Sequence, residues 1–312
     1  MQHSTDTIKN IYFLLFPGVH LLDFTGPAHV FYEAIEYGAP LRLHYLHTSK
    51  ETEVLPSSAG LTFTALKHFR DVRIQKGDYV FVAGADFNII GSKQFKKAQL
   101  DTLKWLYELD QEGHTIASVC TGAFVLAQAN ILDGRACTTH WKYTEKLQTH
   151  FPKTKVEQRR LFIKSNNVYT SAGVSSGIDL SLHILEQELG YEFAQKVARE
   201  VVVYLRRNPE DPQLSPFLQY RNHMDDRVQQ VQDWIADHLD HKMTVSSLAS
   251  LVFVTPRHLS RIFKTATSIT VQEYIRQLRI AKAKELLETG YKLDYVARAC
   301  GYSNGTVLKR LL

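Results

Sequence analysis

A chain of 312 residues, 44% hydrophobic and 22% charged, has the length of two ordinary domains and the composition expected of a soluble globular protein. No apolar run approaches the roughly 18 residues of a membrane span, and MQHSTDTIKN lacks the basic start and apolar core of a signal peptide. Three cysteines, Cys120, Cys137 and Cys300, cannot all pair with one another, so a reducing cytoplasm is expected.

In chain order, IYFLLF (11–16), LRLHYLH (41–47), DYVFVAG (78–84) and HTIASVC (114–120) are short β-rich apolar runs. Between them FKKAQLDTLKWLYELDQEG (95–113) has helical periodicity ended by glycine. Strands buried on both faces with helices between them predict an α/β domain around a mostly parallel sheet. VSSGIDLSLHILEQELG (174–190) and YEFAQKVAREVVVYLRR (191–207) follow as consecutive amphipathic helices. NPEDPQLSPF (208–217) then carries three prolines in ten residues, which is linker composition. Beyond it only helices are predicted, over 228–240, 245–252, 256–266, 271–290 and 293–300. The organisation expected is a domain over 1–207, a linker over 208–224 and an all-α domain over 225–312.

Charge separates the same two regions. Residues 1–214 hold 23 Lys+Arg and 23 Asp+Glu, whereas residues 215–312 hold 14 and 9, so the whole net charge of +5 lies in the last third. That imbalance suits a phosphate-binding module. In TPRHLSRIFK, Thr255 is a plausible N-cap and Pro256 suits the first turn. Arg257, Ser260, Arg261 and Lys264 fall at i, i+3, i+4 and i+7, while Leu259, Ile262, Phe263 and Ala266 share an apolar face. With LASLVFV before it, the segment is a helix-turn-helix candidate. The unit recurs about fifty residues later in VARACGYSNGTVLKRLL, with a turn one residue longer. There Thr306, Lys309 and Arg310 face outward, and Leu308, Leu311 and Leu312 are assigned to the packing side. Between the two lies a helix with a capping box, Thr270 and Glu273, and a stripe of Val271, Tyr274, Ile275, Leu278 and Ala281 that makes it a rigid spacer. One basic amphipathic helix is as easily a solvated face as a DNA reader, but a repeat with a spacer is much harder to explain that way.

These elements resemble the AraC/XylS family DNA-binding domain over residues 225–312. The resemblance implies double-stranded promoter DNA as partner, with base or backbone contacts from Arg257, Ser260, Arg261 and Lys264 and from Thr306, Lys309 and Arg310. Relatives of this type continue with a G-x-S-P-x-x-Y-R-like tail that is not found after Arg310, so a shortened second unit is expected.

SVCTGAF (118–124) poses the chemical question. A strand running directly into V-C-T-G and a helix has the geometry of a nucleophile elbow. It sets Cys120 near a helix N-terminus that would favour its thiolate, with the Thr121 N–H able to stabilise an oxyanion. A buried cysteine is nevertheless often an inert small hydrophobe. Asp23 reads locally as a cap for the helix that follows it, His140 is the obvious base candidate, and Trp141 reads as core or pocket wall. Cys137 and Cys300 have no metal-ligand spacing, so neither a metal nor another cofactor is assigned.

SVCTGAFVLAQANILDGRACTTHW and FPGVHLLDFTGPAHVF resemble the PfpI-like class I glutamine amidotransferase superfamily, in its ligand-sensing version fused to AraC-type helices. The resemblance spans residues 8–205 and implies a flavodoxin-like sandwich. It also implies a pocket formed by Asp23, Gly84 of VFVAG, Cys120, Thr121, His140 and Gly173 of TSAGVSSGID. The expectation is a homodimeric, ligand-controlled transcriptional regulator with no membrane association, whose small effector is an amine, an amino acid or a related nitrogenous compound. The alternative is a cysteine-dependent hydrolase or hydratase, in which Cys120 attacks an amide, nitrile-like or isocyanide carbon with Asp23 or His140 carrying the proton.

Overall fold

The run KNIYFLL has no polar face to offer to water beyond its first two residues, so it needs cover on both sides, and it forms an interior strand, β1 (Lys9–Leu15), of a seven-stranded sheet. The computed structural model describes residues 8–49, 54–158, 160–203, 209, 220, 221, 223–288 and 290–312. The chain divides into two units, residues 1–213 and 214–312.

In the first unit β2 (Leu41–His47), β3 (Lys67–His68), β4 (Tyr79–Val82), β5 (Thr115–Val119), β6 (Phe162–Ser165) and β7 (Val168–Ser171) join β1 in the order β6-β7-β5-β4-β1-β2-β3. Every neighbouring pair is parallel except the β6–β7 hairpin. Alternate residues of β1 enter different cores. Ile11, Phe13 and Leu15 pack with Phe31, Phe81, Val119 and Leu180, while Tyr12 and Leu14 pack with Val80, Val82, Leu106 and Phe124. Helices α1 (Leu21–Glu36), α4 (Ser175–Leu189) and α5 (Tyr191–Glu200) supply the first core, and α2 (Leu100–Gln111) and α3 (Gly122–Gln128) the second. The chain steps outward from β1 to β2 and β3, then returns to the other side of β1 as β4. The carboxyl ends of β1 and β4 therefore flank a topological switch point, where open α/β sheets form their crevice.

Two predicted helices differ in extent. The helix expected over 95–113 is interrupted at Gln99, whose backbone (φ −102°, ψ 13°) separates Lys93–Ala98 from α2. The one expected over 191–207 ends at Glu200, beyond which Val202 takes a left-handed backbone (φ 54°); residues 204–207 and most of the expected linker lie outside the described residues.

The second unit contains α6 (Asp226–Asp237), α7 (Val245–Leu251), α8 (Pro256–Thr267), α9 (Val271–Glu288), α10 (Leu293–Ala299) and α11 (Gly305–Lys309). Val271, Tyr274 and Leu278 of α9 pack on α6, α7 and α8, whereas Ala283 packs with Val296, Ala297 and Leu308. The spacer thus serves two cores, and it is Ala283 rather than the half-buried Ala281 that continues its stripe. Only half of the expected capping box forms. Thr270 Oγ1 accepts the Glu273 N–H (3.2 Å), but the Glu273 carboxylate accepts from Arg276 and Gln277 instead of turning back.

Candidate functional site

β5 delivers Cys120 to the carboxyl edge of the sheet, and a left-handed backbone at that residue (φ 57°) makes the sharp turn into α3. A non-glycine residue in this region costs free energy and persists only where its surroundings hold it. Here the Cys120 N–H donates to the Ser171 carbonyl (3.0 Å) and its own carbonyl accepts the Thr139 hydroxyl (2.7 Å). Gly122 is required one step on, because a Cβ there would overlap the Val82 carbonyl. Two further glycines close on the cysteine. A Cβ on Gly84 would overlap Asp23 Oδ2 and lie 2.9 Å from Cys120 Cβ, and one on Gly173 would lie 2.8 Å from Cys120 Sγ. Asp23, Gly84, Cys120, Thr121 and Gly173 are therefore neighbours in space.

The local reading of Asp23 as a cap for its own helix is not what forms. Its side chain crosses to the other helix at the site: the Val174 N–H donates to Asp23 Oδ1 (2.8 Å), at the N-cap of α4. Val174 is itself left-handed (φ 53°), which for a β-branched residue is a true outlier. Asp23 Oδ2 is buried without a hydrogen-bond partner of good geometry and faces Cys120. Burial pushes the Asp23 carboxyl above the usual carboxylate range, against the Val174 N–H, the Cys120 thiol and His20, all of which favour the ion. Cys120, only 4% exposed, is pushed well above the ordinary thiol range, first by burial and then by the negative charge of Asp23. The helix N-terminus expected to favour the thiolate belongs to an α3 only seven residues long, and burial beside a carboxylate acts in the opposite direction.

Thr121 acts structurally. Its hydroxyl accepts the Ala85 N–H (3.0 Å) and donates to the Ala85 carbonyl (2.8 Å), tying the elbow to the loop after β4. His140 is half-buried, and its Nδ1 accepts the Lys142 N–H (3.3 Å). Burial, then Lys142 and His20, hold its imidazole below the usual histidine range. Among the described hydrogen bonds none joins His140 to Cys120. Trp141 is 50% exposed and so is not core. Sequence reasoning missed His20, whose charge reaches both Asp23 and His140 and whose Nδ1 pairs with Ser58 Oγ (2.9 Å). Its position directly before the helix carrying Asp23 was the available signal. Cys137, also buried, is pushed up to about 12 by burial. Among the described residues no group of three or more His, Cys, Asp or Glu side chains is placed to hold a metal ion.

In the second unit Leu259, Ile262 and Phe263 are buried, while Arg257, Ser260, Arg261 and Lys264 are exposed on α8. Thr255 caps that helix by accepting the His258 N–H (3.2 Å), as expected. The Ser260 hydroxyl donates to the Pro256 carbonyl (2.9 Å) and Arg261 reaches His258 (3.4 Å). Around α11, Thr306, Lys309 and Arg310 are exposed and Leu308 is buried. Leu312, assigned to the packing side, is instead 45% exposed, because the helix ends at Lys309 and no longer sets its direction.

The DJ-1/PfpI family model matches residues 9–187, and a helix-turn-helix domain model matches residues 248–311. The HTH-type transcriptional regulator CdhR of Pseudomonas aeruginosa is 28% identical over 303 residues, 97% of this chain and 87% of that protein. The isonitrile hydratase of Pseudomonas putida is 30% identical over 185 residues, covering 59% and 74% of the respective chains. The HTH-type transcriptional regulator GbdR of P. aeruginosa is 30% identical over 194 residues, and the match spans about half of its length (52%). Among solved structures, an AraC family transcriptional regulator from P. putida superposes with a TM-score of 0.52 at 17% identity, over 62% of this chain and 99% of that one. Drosophila melanogaster DJ-1beta does so with 0.51 at 22%, over 62% and 97%. With a family model covering the sheet, the elbow and α4, the chain belongs to the DJ-1/PfpI family, and it carries a helix-turn-helix domain behind that fold.

Proposed function

We propose that the protein is a DNA-binding transcriptional regulator controlled by a small metabolite bound at the Cys120 elbow. The observation that carries this reading is the outward-facing basic surface of α8, with Arg257, Arg261 and Lys264 exposed over a fully packed apolar face. Arginine forks can take guanine edges bidentately, and lysine neutralises phosphate. The elbow supports sensing over turnover: a thiol kept protonated by burial and by Asp23 is poorly prepared to attack. Regulation by a metabolite requires only that it prefer one arrangement, since a tenfold shift needs about 1.4 kcal/mol of differential binding. The effector class that fits the resemblance is an amine, amino acid or related nitrogenous compound, held among Asp23, Gly84, Cys120, Thr121, His140 and Gly173. The proposed division is a sensor over 1–207, a linker over 208–224 and a DNA-binding domain over 225–312, acting as a cytoplasmic homodimer.

A second reading, a hydratase or hydrolase using Cys120, is favoured by the isonitrile hydratase relative and by the direct juxtaposition of Asp23 and Cys120. One pair of measurements separates them. A thermal-shift screen of amines and amino acids identifies the effector, whose saturation at 100 times its Kd adds roughly 2.7 kcal/mol. Promoter control by that effector is then compared between wild type and Cys120→Ser. Retained control supports sensing; loss of control with binding intact supports a requirement for chemistry at the thiol.

A further inference from the structure

The helical unit contains a cleft of about 470 Å³ that is separate from the outward face of α8. Its walls are Asp240 and Lys242 from the loop after α6, Arg279 from α9, Arg298 near the end of α10, and Tyr302 and Ser303 from the turn before α11. Arg279 builds it. Its Nε donates to the Leu239 carbonyl (2.9 Å), its Nη2 to the His241 carbonyl (2.6 Å), and its guanidinium lies 5.8 Å from the Tyr302 ring centroid. The turn can come this close only at Gly301 (φ 72°), where a Cβ would meet Arg279 Nη2 and the Leu239 oxygen at 2.5 Å.

The partners of Arg279 are neutral, so its charge stays in the cleft. Among the described residues no ion pair involves Lys242, Arg279 or Arg298. Arg298 Nε donates to the Asp294 carbonyl (3.3 Å), which fixes the side chain and leaves its Nη groups for another acceptor. The one acid, Asp240, pairs with His241 (2.9 Å), a bond that holds its carboxyl below the usual range. Three cations against one engaged carboxylate, set in a concavity, attract an anion. An arginine fork, a lysine and a serine hydroxyl suit a phosphate group.

Position in the repeat indicates the source. Buried Leu248 and Ala249 of α7 correspond to Val296 and Ala297 of α10, which sets Ser250 against Arg298 and Phe253 against Gly301. The first helix-turn-helix unit therefore has neither the arginine nor the glycine that makes the cleft. Ser303 immediately precedes Asn304, the N-cap of α11, whose exposed Thr306 and Lys309 form the candidate reading face.

We propose that this cleft is a backbone-phosphate site, with Lys242, Arg298 and Ser303 gripping one DNA phosphate beside α11 and so fixing the second unit on the duplex. The inference rests on the DNA-binding reading. It is tested with the full chain and a labelled mixed-sequence duplex of about 30 base pairs, roughly three helical turns, by anisotropy across a salt titration. The double variant Lys242→Ala/Arg298→Ala should flatten the slope of log K against log salt by about 0.9, and each single variant by part of that, so that going from about 50 to about 200 mM salt costs the double variant roughly threefold less affinity than wild type. Lys97→Ala, an exposed charge in the first unit, should leave the slope unchanged, and Arg257→Ala on α8 reports on the parent reading. A wild-type slope in the double variant with a weakened Arg257→Ala overturns the cleft and keeps DNA binding. Failure of the wild-type chain to bind the duplex even at about 50 mM salt overturns both. A parallel titration with inorganic phosphate and with AMP, read as thermal shift, distinguishes the free source. If phosphate or AMP stabilises wild type but not Arg298→Ala while duplex slopes stay equal, the cleft holds a free anion and the DNA assignment fails.

Discussion

Replacing Gly173 by alanine should damage the elbow in a way that replacing Gly38 does not, and the difference can be worked out beforehand. Both glycines are left-handed, at φ 98° and φ 88°, so either alanine incurs about 1–2 kcal/mol of backbone strain, partly offset by about 0.4–1 kcal/mol through the less flexible unfolded chain. A Cβ on Gly38 meets nothing within 4 Å, whereas one on Gly173 overlaps Cys120 Cβ and lies 2.8 Å from its Cα and Sγ. Cys120 cannot easily retreat, since its N–H is held by Ser171 and its carbonyl by Thr139. Overpacking of this kind adds about 1–3 kcal/mol. For a unit of this size each kcal/mol lowers Tm by about 2–4 °C, so Gly173→Ala should melt about 2–12 °C below Gly38→Ala in differential scanning calorimetry. Adding Cys120→Gly, which removes both the obstructing side chain and the strain at φ 57°, should recover much of the loss as a positive coupling. Equal melting of the two single variants would refute the packing of Gly173 on Cys120.

Asp23→Asn keeps an oxygen for the Val174 N–H but removes the ionisation that burial opposes. A carboxyl whose folded pKa is raised favours folding at acid pH and loses that contribution as pH rises through the raised value. The Tm advantage of Asp23→Asn over wild type should therefore grow from about pH 4 upward; an advantage that shrinks with rising pH would mean the carboxylate is stabilised. Cys120 and Cys137, both buried and pushed upward, should be alkylated by iodoacetamide at neutral pH more slowly than a free thiol, and rapid single-site labelling of Cys120 by mass spectrometry would contradict the protonated elbow. Phe253→Gly should stabilise the helical unit by about 0.5–1 kcal/mol, because Phe253 is left-handed (φ 53°) and 96% exposed, with strain to release and little packing to lose. A lower Tm for that variant would show that its side chain is held by contacts.

What could be read before folding was whatever has a short period. The central strands are continuous apolar runs, and α8 alternates basic and apolar faces at 3.6 residues, so both were legible along with the elbow that joins β5 to α3. The role of Asp23 was not. Its hydrogen-bond partner Val174 lies 151 positions away, and nothing near either residue distinguishes that bond from a local cap. His20 stands three residues before Asp23 and could have been noticed there, but its relation to His140 exists only once α1 and the segment after Cys137 meet. The spacer α9 shows a different limit. Its stripe was rightly expected to serve both units, but the residue that reaches the second core is Ala283 and not Ala281, because the contact there is set by where α10 and α11 lie and not by the helical period. Charge was legible as an excess in the last third, but the cleft under Arg279 depends on Gly301 letting a turn approach a helix, which no count of lysines and arginines contains.

The elbow is strained from two sides at once, and this bears on what it can do. Cys120 and Val174 are both non-glycine residues in left-handed geometry, each at a cost of about 1–3 kcal/mol, and Gly173 lies between them against the thiol. Each is held by identifiable groups: Ser171 and Thr139 for Cys120, the Asp23 carboxylate for Val174. The strain is therefore balanced by the folded sheet itself, so the site is formed in advance of any occupant. Preorganisation of this kind serves catalysis and recognition equally well. What tips the balance is protonation. An attacking thiol needs a base that removes its proton, whereas here the neighbouring carboxylate makes the thiolate costlier and His140 makes no hydrogen bond to the thiol among those described. A preformed pocket around a thiol whose burial and neighbouring carboxylate both disfavour the thiolate is the combination that supports the proposed sensing role.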